Sequence, residues 1–133
     1  MATAYWCILI AALLPYVWVG IAKSGGQRYN NRDPRGWLSR QDDPRVARAN
    51  GAQLNAFEAF PAFAAGVLMA QFAGIDPGRI GLFAMAFVAF RILHGVFYLS
   101  GHHYVRSLVW LAGLFCVIAL MAQIQLDLIG TLT

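Results

Sequence analysis

The chain has 133 residues, 59% of them hydrophobic and 12% charged, with a mean hydropathy of +0.57. Water-soluble domains stop at about 45–50% apolar with glycine included, so an ordinary soluble fold is excluded. The net charge is +4 and the pI near 9.5, but Lys23, Arg28, Arg32, Arg35, Arg40, Arg45 and Arg48 crowd into one segment between apolar runs. That is the distribution of a membrane-flanking loop and not of a nucleic-acid surface, so no nucleic-acid partner is expected.

Four apolar runs, about 4–22, 47–73, 80–99 and 107–128, each approach the roughly 20 residues a helix needs to cross about 30 Å of hydrocarbon. Lipid cannot satisfy the edge of an open sheet, so the runs predict helices. The expected fold is an all-α integral membrane protein, a four-transmembrane-helix antiparallel bundle in a single domain over 1–133.

The first run, "AYWCILIAALLPYVWVGIA", has no basic segment before it and no clear cleavage site after it, so it is expected to be a retained span and not a signal peptide. Cys7 and Cys116 lie inside apolar runs without metal-binding or redox spacing, as small buried hydrophobes. The segment 23–46 carries Gly-Gly, Asn-Asn, Asp-Pro and Asp-Asp-Pro turn signals and is expected to be a long polar loop. "GIDPGR" and "SGHHYVR" are short, which makes consecutive helices antiparallel neighbours. Counting Lys and Arg near the helix ends puts the first and third loops on the cytoplasmic side and both termini on the other, with a bacterial inner membrane the expected location.

The second run is the unusual one, because it places polar groups at bilayer depth. On a helix Arg48, Gly51, Asn55 and Glu58 share one face, and Gln53 points away from it. A charged residue facing lipid near a helix centre costs about 2.5–3.5 kcal/mol, so Glu58 needs a partner or water inside the protein. On the third run Arg91, His94 and Tyr98 share a face at i, i+3 and i+7. A buried Glu58–Arg91 ion pair fixing the register of the two helices is one expectation. It leaves Arg48, Gln53, Asn55, His94, Tyr98 and Arg106 near the cytoplasmic ends, a surplus of cations and donors suited to an anionic, hydrogen-bonding ligand. Pro61 removes one backbone hydrogen bond in mid-run, and a kink is expected there. His102 and His103 lack a third ligand at compatible spacing, so no metal is expected. Trp6, Tyr16, Trp18, Trp37 and Trp110 suit interfacial or packing roles.

The stretches "GAQLNAFEAFPAF" and "FRILHGVFYLSGHHYVRSLVW" resemble the membrane-associated proteins in eicosanoid and glutathione metabolism, the MAPEG superfamily, over nearly the whole chain. Four spans, a long first loop, Asn-x-x-Glu on the second helix and Arg-x-x-His-x-x-x-Tyr on the third, followed by Arg-Ser, occur in the family's order, and the site pattern is closest to the microsomal prostaglandin E synthase type. The resemblance implies a homotrimer that binds glutathione, as co-substrate, between subunits near the cytoplasmic leaflet. It assigns Asn55 and Glu58 to the glutathione amine and peptide groups and Gln53 to a neighbouring subunit's contact. It makes Arg91, His94 and Tyr98 further ligand contacts, Arg106 the thiolate-stabilising cation, and Ser107 the serine beside it. The family's Arg-Ala is Gly51-Ala52 here, so one expected cation is missing; Arg48, a turn earlier, is the residue in reach of the same anion. Lys23 stands where relatives carry arginines, and the stretch from Tyr98 to Arg106 is one residue shorter than in the prostaglandin synthase pattern.

The leading expectation is therefore a membrane-bound glutathione-dependent transferase or peroxidase acting on an apolar electrophile or lipid hydroperoxide, with membrane lipid delivering the apolar small molecule. The rival is a non-catalytic scaffold or accessory subunit whose polar residues only lock helices together, and Gly51 is the feature in its favour. An anion transporter ranks last, because no inverted repeat or broken helix is evident.

Overall fold

The computed structural model describes residues 1–130, with side chains described as far as Gln125. The described residues form α1 (Ala2–Ser24), α2 (Pro34–Ser39), α3 (Pro44–Phe72), α4 (Pro77–Ser100) and α5 (His103–Gly130), with no strand among them. The expected all-helical architecture holds. The side chain of Leu128, at the end of the fourth apolar run, lies outside the described residues.

Three helix starts share one local cause. Asp33, Asp43 and Asp76 each occupy an N-cap, with Pro34, Pro44 and Pro77 following at once. Their carboxylates accept from the backbone N–H groups of Gly36, Arg45 and Arg79 at 2.8–3.0 Å, and proline needs no partner at a first helical position. The Asp-Pro pairs, read from the sequence as turns, are helix starts. As a result α3 begins at Pro44 instead of residue 47, and α4 at Pro77 instead of residue 80.

The same signal corrects the expectation of an unstructured polar loop over 23–46. Within it α2 forms and turns Trp37 inward, 5% exposed, against Ala22, Val46 and Ala49. The indole Nε1–H donates to the Gln27 carbonyl at 3.1 Å, and Tyr29 meets the ring edge-on. One buried aromatic thus clips the segment to the ends of α1 and α3.

The long helices alternate in direction. Tyr5 Oη donates to Gln71 Oε1 at 2.6 Å, joining the start of α1 to the end of α3, and Gly51 faces Tyr98 while Gly113 faces Arg91. The central pair is α3 and α4; α1 packs on both from one side and α5 on both from the other. Gly95 lets α1 approach α4, because Trp18 lies over its bare Cα where a Cβ would collide with the indole. The expected kink at Pro61 does not end the helix: α3 runs on through it to Phe72.

The helices α1, α4 and α5 are each long and apolar enough to cross a membrane. At 29 residues α3 is long enough, but it falls short in hydropathy, since Arg45, Arg48, Gln53, Asn55 and Glu58 occupy its first half. Large apolar side chains are exposed on every long helix, among them Trp6, Leu13, Phe72, Leu82, Leu108 and Phe115. Such a surface belongs in lipid.

The interior divides along the bundle axis. The half near Phe72 and Pro77 is apolar, built on Phe63 stacked on Phe87 at 4.0 Å and on Val67, Ile80 and Leu120. The half toward the basic loop holds the two buried polar side chains among the described residues, Arg91 and His94.

Candidate functional site

Where α3, α4 and α5 meet in the polar half, the three facing rows come together. Arg91 is only 4% exposed. Its Nη2 donates to Asn55 twice, to Oδ1 at 2.5 Å and to the backbone carbonyl at 3.2 Å, and its aliphatic stem crosses the bare backbone of Gly113. Its Nε is buried without a partner. The expected Glu58–Arg91 ion pair does not form. The only ion pair among the described residues is Arg40–Asp33, at the surface. The reason is register: α4 brings the guanidinium level with Asn55, one turn before Glu58, and leaves the glutamate side chain exposed.

Glu58 instead opens on a cavity of about 210 Å³, which it lines with Asn55, Arg91, Phe87, Trp110 and Leu114. Above it lies a second cavity of about 420 Å³, lined by Asn55, His94, Tyr98, Arg106, Ser107 and Trp110. Asn55 and Trp110 border both, so the two cavities are neighbours, the lower one lined by Glu58 and Arg91 and the upper one by Arg106. Trp110 follows Arg106 by four residues, and that spacing is the sequence signal for its place on the same face.

In the upper cavity the Arg106 guanidinium lies over the Tyr98 ring, 4.4 Å from its centroid. His94, 3% exposed, meets the same ring edge-on at 5.6 Å. Ser107 Oγ donates to the His103 carbonyl at 3.0 Å, so the hydroxyl keeps its acceptor capacity.

Arg48 and Gln53 stand outside both cavities. Arg48 reaches the end of α4, donating from Nη1 to the Leu99 carbonyl at 3.4 Å and lying against Gly101. Gln53 borders a separate cavity of about 480 Å³ between α1, α2 and α3, with Lys23, Tyr29, Arg35, Trp37 and Asn50. His102 sits 2.9 Å from Ser100 Oγ, and the His103 ring lies on Tyr104. No metal-binding group of His, Cys, Asp or Glu gathers among the described residues.

Chemically, the two neighbouring chambers offer a carboxylate for an ammonium, an amide for peptide groups, and two guanidinium groups for anions. Two contacts in this site were not legible in the sequence: the leaning of Tyr98 on Gly51 and the use of Asn55 by Arg91. Both depend on how far one helix slides along another.

No curated protein and no solved structure is significantly similar to the chain. The profile of the MAPEG family, however, matches residues 3–126, across all five helices and both chambers. The chain belongs to the MAPEG family.

Proposed function

We propose that this protein is a membrane-bound glutathione-dependent enzyme that transfers the thiol to an apolar electrophile or reduces a lipid hydroperoxide. One observation carries the reading. Midway along α3, Glu58 presents a carboxylate to a cavity that Arg91 also lines, yet it makes no direct ion pair with that guanidinium or with any other cation among the described residues. An unpaired charge at that depth is costly. A ligand ammonium of the kind glutathione carries relieves it.

In this reading Glu58 takes the glutathione ammonium, Asn55 a peptide group, and Arg91, His94 and Tyr98 line the rest of the path. Arg106 lies beside the thiol and lowers its pKa, raising the thiolate fraction, while Ser107, next to it on α5, lines the same chamber with its hydroxyl hydrogen on the His103 carbonyl. For conjugation, the sulfur bonds to the electrophilic carbon as the leaving group departs with its electron pair. For a hydroperoxide, the sulfur attacks the terminal oxygen, the O–O bond breaks, and the alkoxide takes a proton to leave as an alcohol. A second glutathione then reduces the sulfenic product to water and disulfide.

The protein works as a homotrimer in this proposal. The Gln53 cavity, with Lys23 and Arg35, lies away from the Glu58 chambers of its own chain, and in a trimer it closes the site of a neighbouring copy. The pattern from Arg91 to Tyr98 favours the microsomal prostaglandin E synthase type, and the short loops a bacterial inner membrane.

A scaffold is the second reading, and one observation favours it: Arg91 and Asn55 hydrogen-bond each other within the chain. Purified protein in detergent separates the two. The enzyme melts at a higher temperature with millimolar glutathione and turns over a generic aromatic electrophile or a lipid peroxide, and Arg106→Ala abolishes turnover while the melt is retained. A melt unmoved by glutathione, with no turnover, leaves the scaffold.

A further inference from the structure

Gly51 lies on α3 one turn before Asn55, which lines the upper cavity. A Cβ built there would sit 2.6 Å from Tyr98 Oη and 2.7 Å from Cε1 and Cζ of the same ring. Real Cβ atoms do not come so near, so the phenol occupies the space any side chain at this position would need. Arg106 covers the ring of Tyr98. Among the described residues the Arg106 side chain has no hydrogen bond and no ion pair, so this stack is the contact that places it.

We propose that Gly51 is a positioning residue of the upper cavity: its bare backbone seats Tyr98 against α3, and Tyr98 in turn holds the Arg106 guanidinium over the chamber. The chemistry assigned to Arg106 rests on the glutathione reading above; the packing does not. The chain of contacts, from α3 backbone to α4 ring to α5 cation, gives the absent cation a different meaning. In this packing a side chain at position 51 would have to displace Tyr98, and the cation of the upper cavity stands on α5. Gly51 is then a working part of the site and not a sign of its decay. Tyr98 stays in place from its own side as well, since it belongs to the last turn of α4, where Gly101 N–H and His102 N–H close on the Tyr98 and Phe97 carbonyls.

The test uses the full chain in detergent and three variants, Gly51→Ala, Tyr98→Leu and the double variant. Each is read by melting temperature and by the ultraviolet thiolate absorbance of bound glutathione. Inside a helix, glycine to alanine raises stability when nothing is in the way. The expected result is an inversion of sign: Gly51→Ala lowers the melting temperature when Tyr98 is present and raises it once Tyr98→Leu has cleared the space. With Tyr98 present, Gly51→Ala also weakens the thiolate signal by about tenfold, the worth of one partly desolvated cation–π contact. A Gly51→Ala protein that is insoluble alone but recovered by Tyr98→Leu supports the proposal equally. Stabilisation by Gly51→Ala in both backgrounds, insolubility in both, or an undiminished thiolate signal overturns it. Wild-type protein with no thiolate signal sinks the glutathione reading; the sign inversion in the melts then supports the seating of Tyr98 by itself.

Discussion

At the scale of single residues, the polar half is governed by one buried cation and its incomplete set of partners. Arg91 has Asn55 for two of its hydrogen bonds and nothing for Nε. Hydrogen bonds to a charged group contribute about 1.5–3 kcal/mol, and stranding the charge is worse than removing it. Asn55→Ala is therefore expected to destabilise the protein by about 2 kcal/mol, read as a lower midpoint in thermal melts. Asn55→Ala combined with Arg91→Met, which replaces the cation by a similar apolar volume, is expected to recover most of that loss in the melt. The presence of these residues, and their shared faces, could be read from their spacing at i, i+3 and i+7. Which of them pair could not. A shift of one turn between α3 and α4 decides whether Arg91 meets Asn55 or Glu58, and the packing along the whole helix contact sets that shift.

At the scale of elements, two contacts hold the helices where the site needs them. Trp18 fills the groove at Gly95, which fixes α1 on α4. Gly95→Ala forces the indole out of a buried position, and overpacking of this kind costs about 1–3 kcal/mol; the melting midpoint is expected to fall, and Gly95→Ala with Trp18→Leu is expected to restore much of it. The second contact is the clip of α2. Trp37→Ala removes the apolar anchor of the segment and is expected to leave the bundle folded but to speed tryptic cleavage at Arg28, Arg32, Arg35 and Arg40, followed by mass spectrometry. The composition of this segment hid the helix inside it, because its polar residues dominate any average. The Asp-Pro pair and a lone tryptophan three residues later were the available signals, and the N-cap logic explains them.

At the scale of the whole molecule, the basic loop, Arg48 and Arg106 share one end of the bundle, and both α1's start and α5's end lie at the other. Positive residues stay on the cytoplasmic side of a membrane. A cysteine placed at Asn31 is expected to react with a membrane-impermeant maleimide only after vesicles of the native orientation are opened, and one at Ala73 without opening. The native Cys7 and Cys116 are buried and give little background. The opposite labelling pattern would reverse the orientation and move the chambers to the other leaflet. The proposed glutathione site would then require the thiol on that side.

The sequence alone determined that this chain is helical and membrane-bound, because apolar runs of that length leave the backbone no other way to satisfy its hydrogen bonds in lipid. It also determined which polar residues share a face, because helical periodicity is local. The tertiary structure decided the rest: the pairing of Arg91 with Asn55, the unpaired carboxylate of Glu58, the seat of Tyr98 on Gly51, and the inward turn of Trp37. Each depends on the axial offset between helices distant in sequence, and that offset is set by side chains packing along their full length, which no local pattern encodes.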